Sequence, residues 1–333
     1  MRYGSVLKGG PQVSVLGLGC AAMLGRTGRG ESLKALGAAW DAGITLYDTA
    51  RSYGYGESEA LLGQFFSGER RSRAVICTKF GILPAAKNWK QRLKPVAQAA
   101  VKAFPGLRGI AQRQAADQLV AGSFSVELLH ASLETSLRQL RTDYVDVLLM
   151  HAAPVNVLEQ DDLLDSLARL VEAGKVRVAG ISGDANVIAA SFERRPKGLR
   201  AAQFAMNLSE LKLADITSNA AREGWFLVAN HPFGGPSGVA ECRRRIEAMR
   251  DDASLNSELR EKMRPDAQLM PELLLNMILS DTGVNSIIPA MMSTHHLHSN
   301  VLAVERCRFS PEELATLRRM LAAGTESGGL QPV

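Results

Sequence analysis

VELLHASLETSLRQLRTDYVDVLLMH, residues 126–151, sets two periodicities end to end. Val126, Leu129, Leu133, Leu137 and Leu140 recur at the three-and-four spacing that places apolar side chains on one helix face. Tyr144–Met150 then runs almost unbroken in apolar residues. That is the pattern of a strand covered on both faces, which antiparallel sheets rarely require. A helix leading into a doubly covered strand is one unit of an alternating α/β chain.

Working outward, one junction recurs. An amphipathic stretch stops at glycine and an apolar run follows: Ala42-Gly43 before Ile44–Tyr47, Ala173-Gly174 before Val176–Ile181, Glu223-Gly224 before Trp225–Ala229, and Thr282-Gly283 before Val284–Pro289. Glycine suits that place because the residue after a helix often turns left-handed, which strains any residue with a Cβ. Strands are expected near residues 13–19, 44–48, 73–79, 144–150, 176–182, 199–204, 225–230 and 285–289. Such a series, separated by helices, predicts an α/β fold of the closed (β/α)8 TIM-barrel type rather than an open doubly wound sheet. Residues 1–333 read as one barrel domain with a C-terminal helical segment. A basic insertion over about residues 82–124, bearing Trp89, follows the third strand and reads as a lid or added helical layer.

With 46% hydrophobic and 22% charged residues the chain has material for a large core, and no apolar window long enough to span a bilayer. Cys20, Cys77, Cys242 and Cys307 show no paired spacing, which points to reduced thiols and a cytoplasmic setting. Met1–Gly10 is polar and glycine-bearing, unlike a secretory signal. The formal charge of +5 favours anionic partners such as a phosphorylated cofactor. Nucleic acid is not implied, because the basic runs at Arg70–Arg73, Lys87–Lys102 and Arg243–Arg245 lack interleaved aromatics.

Gly17-Leu-Gly19-Cys-Ala-Ala22, with Asp41 further on, formally fits a dinucleotide fingerprint. The fingerprint must open directly into a helix, yet Gly25, Gly28 and Gly30 follow, and Glu31–Trp40 is the first credible helix. Gly17 and Gly19 therefore read as a close-packed strand end.

A second group fits the barrel. Asp48 ends strand two, Tyr53 lies on the loop after it, Lys79 ends strand three and His151 ends strand four. Barrel enzymes keep their chemistry at the carboxyl ends of the strands, so these four side chains converge. A phenol is a weak acid in water, but a neighbouring ammonium stabilises its phenolate and lowers its pKa. Asp48 would hold Lys79 charged, and His151 would hydrogen-bond a substrate oxygen. The set suits carbonyl reduction, in which negative charge develops on oxygen and a proton must follow. Singly, each residue has a plainer use: Lys79 as a Schiff-base lysine or surface cap, Asp48 as a turn cap, His151 as a core histidine, Tyr53 as turn packing.

Asp48-Thr-Ala-Arg-Ser-Tyr53-Gly54, with Gly56-Glu57-Ser58-Glu59 and Leu62-Gly63 beyond it, resembles the signature of the aldo-keto reductases. Thr78-Lys79-Phe80, Asp143-Tyr-Val-Asp146 to His151, and Gly174-Lys-Val-Arg177 to Ser182 resemble further segments of that family. The resemblance implies a nicotinamide cofactor, NADP(H) more often than NAD(H), bound across the strand ends, and a small carbonyl or sugar substrate. It implies Asp48, Tyr53, Lys79 and His151 as the catalytic tetrad, with Tyr53 the general acid. Ser182 and Gln203 match positions at the nicotinamide carboxamide, and Gly19 and Cys20 lie at the end of the first strand beside it. His231, Pro232, Phe233 and Gly234 match the loop around the pyrophosphate, whereas Pro289, Met291, His296 and Asn300 match the adenosine end.

Three positions depart from the pattern: Gly183 replaces an asparagine, Ala290 a lysine or glycine, and His296 an arginine. Arginine grips a phosphate with a fixed charge that histidine lacks, so the choice between the two cofactors stays open. Two other readings keep the barrel: a sugar 1-dehydrogenase working oxidatively, and a non-catalytic cofactor-binding sensor or scaffold. His295, His296 and His298 do not make a metal site at their spacing, and no metal is expected.

Overall fold

The computed structural model describes residues 1–6, 10–84, 124–280 and 282–323. The insertion at 85–123, with Trp89, lies outside the described residues. Eight parallel strands follow one another in chain order around the sheet: β3 (Gly17–Gly19), β4 (Leu46–Asp48), β5 (Val75–Phe80), β6 (Val145–Met150), β7 (Val176–Ser182), β8 (Leu199–Ala205), β9 (Phe226–Asn230) and β10 (Ser286–Ile288). The first and last meet where Leu16 bridges Ile287, whose N–H donates to the Val15 carbonyl at 2.9 Å. The (β/α)8 barrel is thereby closed.

One boundary differs from expectation. The sequence points to a single first strand over 13–19, but β2 (Gln12–Ser14) turns away to pair antiparallel with β1 (Tyr3–Val6), leaving Gly17–Gly19 to the barrel. Side-chain hydroxyls cause the break. The Ser14 N–H donates to Thr45 Oγ1 at 2.8 Å, the Thr45 N–H returns a bond to Ser14 Oγ at 2.9 Å, and that Oγ donates to the Leu16 carbonyl at 2.6 Å. Backbone groups satisfied by side chains need no strand partner.

The junction glycines behave as their position requires: Gly43, Gly174, Gly224 and Gly283 have φ of +79°, +72°, +85° and +73°. Each follows a helix and leads into β4, β7, β9 or β10. Gly17 and Gly19 mark close packing, since a Cβ on them would lie 2.9 Å from Leu46 and 2.8 Å from Ile288.

Side chains alternate along the strands. Leu46, Val75, Cys77, Val147, Leu149 and Val228 fill the interior. Ile76, Leu148, Ile181, Phe204 and Leu227 face outward into the main core, beneath α1 (Arg29–Asp41), α2 (Ser58–Phe65), α3 (Val126–Leu140), α4 (Asp161–Glu172), α5 (Ala185–Arg194) and α6 (Ala214–Arg222). Helix α3 is the amphipathic element read from Val126 onward. The Ser125 hydroxyl caps it by accepting from the Leu128 N–H at 3.2 Å. Asp146 on β6 anchors neighbouring strands, accepting from the Ile76 N–H at 2.9 Å and forming ion pairs with Arg71 at 2.9 Å and Arg177 at 3.3 Å.

Beyond β9 come α7 (Gly235–Arg250), the short α8 (Ser257–Lys262), α9 (Leu269–Leu279), α10 (Thr294–Glu305) and α11 (Pro311–Ala323). These include the C-terminal helical segment anticipated from the sequence. Ile246, Met249, Leu259, Leu273 and Leu317 join α7, α8, α9 and α11 in a second apolar cluster beside the barrel.

Candidate active site

Strand register brings the tetrad together. Asp48 is the last residue of β4, Lys79 is next to last in β5, and His151 directly follows β6. Tyr53 opens the short 3-10 turn Tyr53–Gly56 after β4. The Lys79 ammonium, 1% exposed, donates to Asp48 Oδ1 at 2.5 Å and to the Thr49 carbonyl at 2.9 Å. The Gln203 amide donates to the same Asp48 oxygen at 2.8 Å, and Ser182 Oγ donates to Gln203 Oε1 at 3.4 Å. Lys79 Nζ lies 5.0 Å from the centre of the Tyr53 ring. The Tyr53 and His151 rings stand edge to face with centroids 5.8 Å apart.

The charges follow from these neighbours. Burial works against the Lys79 ammonium, but Asp48 and the other anionic-capable groups around it outweigh that and hold its pKa above the ordinary lysine value. Burial raises the Tyr53 phenol, with Lys79 pulling it down and Asp48 pushing it further up. The sequence leads one to expect the ammonium to win that contest. Its pull has the expected sign, but burial is the larger effect and the net shift is upward, because desolvation penalises the phenolate. Burial, reinforced by Lys79, lowers His151 from 6.5 to about 4, so the ring is neutral near pH 7. Its Nδ1 is buried without a hydrogen-bond partner.

A neutral, half-buried histidine has a thermodynamic signature. The unfolded ring takes up a proton near pH 6.5 and the folded one only near 4, so stability present above pH 6.5 is lost as pH falls through that interval. Discounting for the ring's partial exposure, the loss attributable to His151 is about 2–3 kcal/mol. Urea denaturation from pH 8 to 4 is expected to show a steeper fall in wild type than in His151→Phe; parallel curves would contradict this.

The predicted cofactor residues are distributed around the same end of the barrel. Ser182 and Gln203 lie level with each other on β7 and β8 and join the Asp48 cluster. Gly19 pairs with Asp48 across β3 and β4. The Cys20 thiol is fully buried, its pKa raised by burial and by Asp48, and its N–H donates to the Asp48 carbonyl at 2.8 Å. His231, at φ +51°, Pro232 and Phe233 lead from β9 to Gly234, the left-handed N-cap of α7. Pro289 and Met291 are buried after β10, His296 is exposed in the first turn of α10, and Asn300 is 4% exposed one turn on.

This surface fits an extended anionic dinucleotide. Gly234 and Gly235 have φ of +65° and +73°, and a Cβ on Gly238 would lie 2.5 Å from the Phe233 carbonyl. A bare backbone is thus brought to the start of α7, where unpaired N–H groups favour phosphate. At the other end, the Ser293 hydroxyl caps α10 by accepting from the His296 N–H at 3.2 Å, beside the exposed rings of His295, His296 and His298.

One further group around the site lies within the quoted motifs but had no role assigned from the sequence. Thr49 supplies the carbonyl that holds Lys79, and Glu59, buried on α2, ties Arg51 to Thr78 at 2.7 Å each. The available signal was Glu59 lying three residues before Leu62, on the face that α2 buries.

Known proteins resemble this chain in sequence and in fold. Aldo-keto reductase YhdN of Bacillus subtilis is 29% identical over 187 residues, 55% of this chain and 47% of the relative, so the match spans about half the relative's length. L-glyceraldehyde 3-phosphate reductase of Escherichia coli is 26% identical over 361 residues, covering 97% of this chain and 93% of the relative. Among solved structures, an aldo-keto reductase of Bacillus halodurans in its holo form superposes with TM-score 0.68 at 20% identity, over 96% of each chain. The family model described as the aldo/keto reductase family matches residues 15–322, and the chain belongs to that family.

Proposed function

We propose that residues 1–333 form one catalytic domain, an NAD(P)(H)-dependent oxidoreductase that reduces an aldehyde or ketone to an alcohol, or runs the reverse. The observation that carries the reading is the buried Lys79–Asp48 pair held 5.0 Å from the Tyr53 ring, with His151 facing that ring. When bound, a nicotinamide supplies or accepts the hydride. Tyr53 gives a proton to the carbonyl oxygen in the reductive direction. The Lys79 ammonium steadies the phenolate left behind, and Asp48 keeps that ammonium charged and aimed. His151, neutral, hydrogen-bonds the substrate oxygen and fixes its approach. Gln203 and Ser182 position the amide end of the cofactor. Free cysteines at 20, 77, 242 and 307 suit the reducing cytoplasm.

NADP(H) is favoured over NAD(H) by the formal charge of +5 and by the hydroxyl and imidazole groups that start α10. Titration of both reduced cofactors by intrinsic fluorescence, followed by aldehyde and sugar panels at the cofactor's absorbance band, tests the whole reading. The expected result is tighter NADPH binding and its loss of absorbance with an aldehyde. Equal affinities assign NAD(H) as a competent cofactor; turnover with sugars alone supports a sugar dehydrogenase, and binding without turnover in either direction supports a sensor.

A further inference from the structure

Glu59 is a deeply buried acid that the chemistry above does not use. It is 1% exposed on α2, and its two carboxylate oxygens have separate partners. Oε2 accepts from Arg51 Nη1 at 2.7 Å, and Oε1 accepts from the Thr78 hydroxyl at 2.7 Å. Thr78 immediately precedes Lys79 on β5, with its side chain on the outer face of the barrel. Arg51 lies two residues before Tyr53 and also donates to Gln139 Oε1 on α3 at 3.1 Å. A second bridge runs alongside, Thr49 Oγ1 to Ser58 Oγ at 3.0 Å.

The frame behind this carboxylate is fixed. A Cβ on Gly63 would lie 2.2 Å from the Gln139 carbonyl, so α2 and α3 meet backbone to backbone. What it holds is a strained loop: Gly54, Tyr55 and Gly56 have φ of +57°, +56° and +84° in succession. Tyr55 carries a Cβ in that region, a conformation that persists only where the surroundings dictate it. An apolar replacement of a buried ion pair is often as stable as the pair itself. Stability therefore gives little reason for this one, and its geometry gives a better one.

We propose that Glu59 is a positioning residue for Tyr53: by bridging Arg51 on the loop to Thr78 on β5, it sets the distance between the phenol and the Lys79 ammonium. This rests on the reading of Tyr53 as proton donor. The test uses the triple variant Arg51→Met, Glu59→Leu, Thr78→Val, which removes the bridge while leaving no buried charge or hydroxyl unpaired. Melting temperature, NADPH affinity, kcat, KM and the pH profile of kcat are measured beside wild type and Tyr53→Phe.

The expected result is near-native melting and cofactor affinity with kcat lowered on the order of 10²-fold, as for a misplacement of about 1 Å. The limb of the pH profile belonging to Tyr53 moves to higher pH, because the phenol sits farther from the Lys79 ammonium. A kcat within about threefold of wild type, or a loss with that limb unmoved, overturns the proposal. Should the triple variant not fold, Thr78→Val alone decides on the same two readouts, with a smaller fall in kcat expected. Failure of the underlying reading is separate: it is shown by Tyr53→Phe turning over as wild type does, whatever the bridge variants do.

Discussion

Lys79→Met is expected to destabilise the fold by about 3–5 kcal/mol and to slow carbonyl reduction on the order of 10²–10³-fold. The first effect arises because the variant leaves Asp48 buried without the ammonium that neutralised it, the Gln203 amide at 2.8 Å being a neutral partner for the same oxygen. A stranded charge loses its attraction but keeps its desolvation penalty. The second effect arises because Lys79 is the interaction that opposes burial at Tyr53. Without it the phenol becomes a weaker acid, and a charge developing on substrate oxygen loses its nearest cation. Adding Asp48→Asn separates the two: stability should largely return, since both charges are gone, whereas turnover should not. Urea denaturation and steady-state kinetics on the single and double variants check this. Recovery of turnover in the double variant would assign Lys79 a purely structural role.

Much of this site was legible because its determinants are local or ordered along the chain. Gly43, Gly174, Gly224 and Gly283 announce helix-to-strand turns through a constraint that acts on one residue at a time. Asp48, Lys79 and His151 each stand at a strand end, so once the strands are counted their convergence follows. What escaped the sequence depends on distant partners. The hairpin of β1 and β2 exists because Ser14 and Thr45, far apart in the chain, satisfy each other's backbone groups. The net upward shift at Tyr53 comes from burial, which no local pattern reports. Glu59 stood inside a recognisable motif but had no visible partner until Arg51 and Thr78 were placed against it.

Tyr53→Phe tests the account at its centre, because it removes one oxygen and leaves the ring. Packing against His151 at 5.8 Å and under Lys79 at 5.0 Å survives, so the fold and cofactor affinity should stay near wild type. The proton donor is lost, and a general acid of this kind contributes about 10²–10⁴ in rate. The decisive measurement is the rate of NADPH oxidation by wild type and Tyr53→Phe at saturating cofactor with one aldehyde that wild type reduces. A variant that binds NADPH as wild type does yet oxidises it on the order of 10³-fold more slowly is the predicted result; oxidation at the wild-type rate would show that the proton comes from elsewhere.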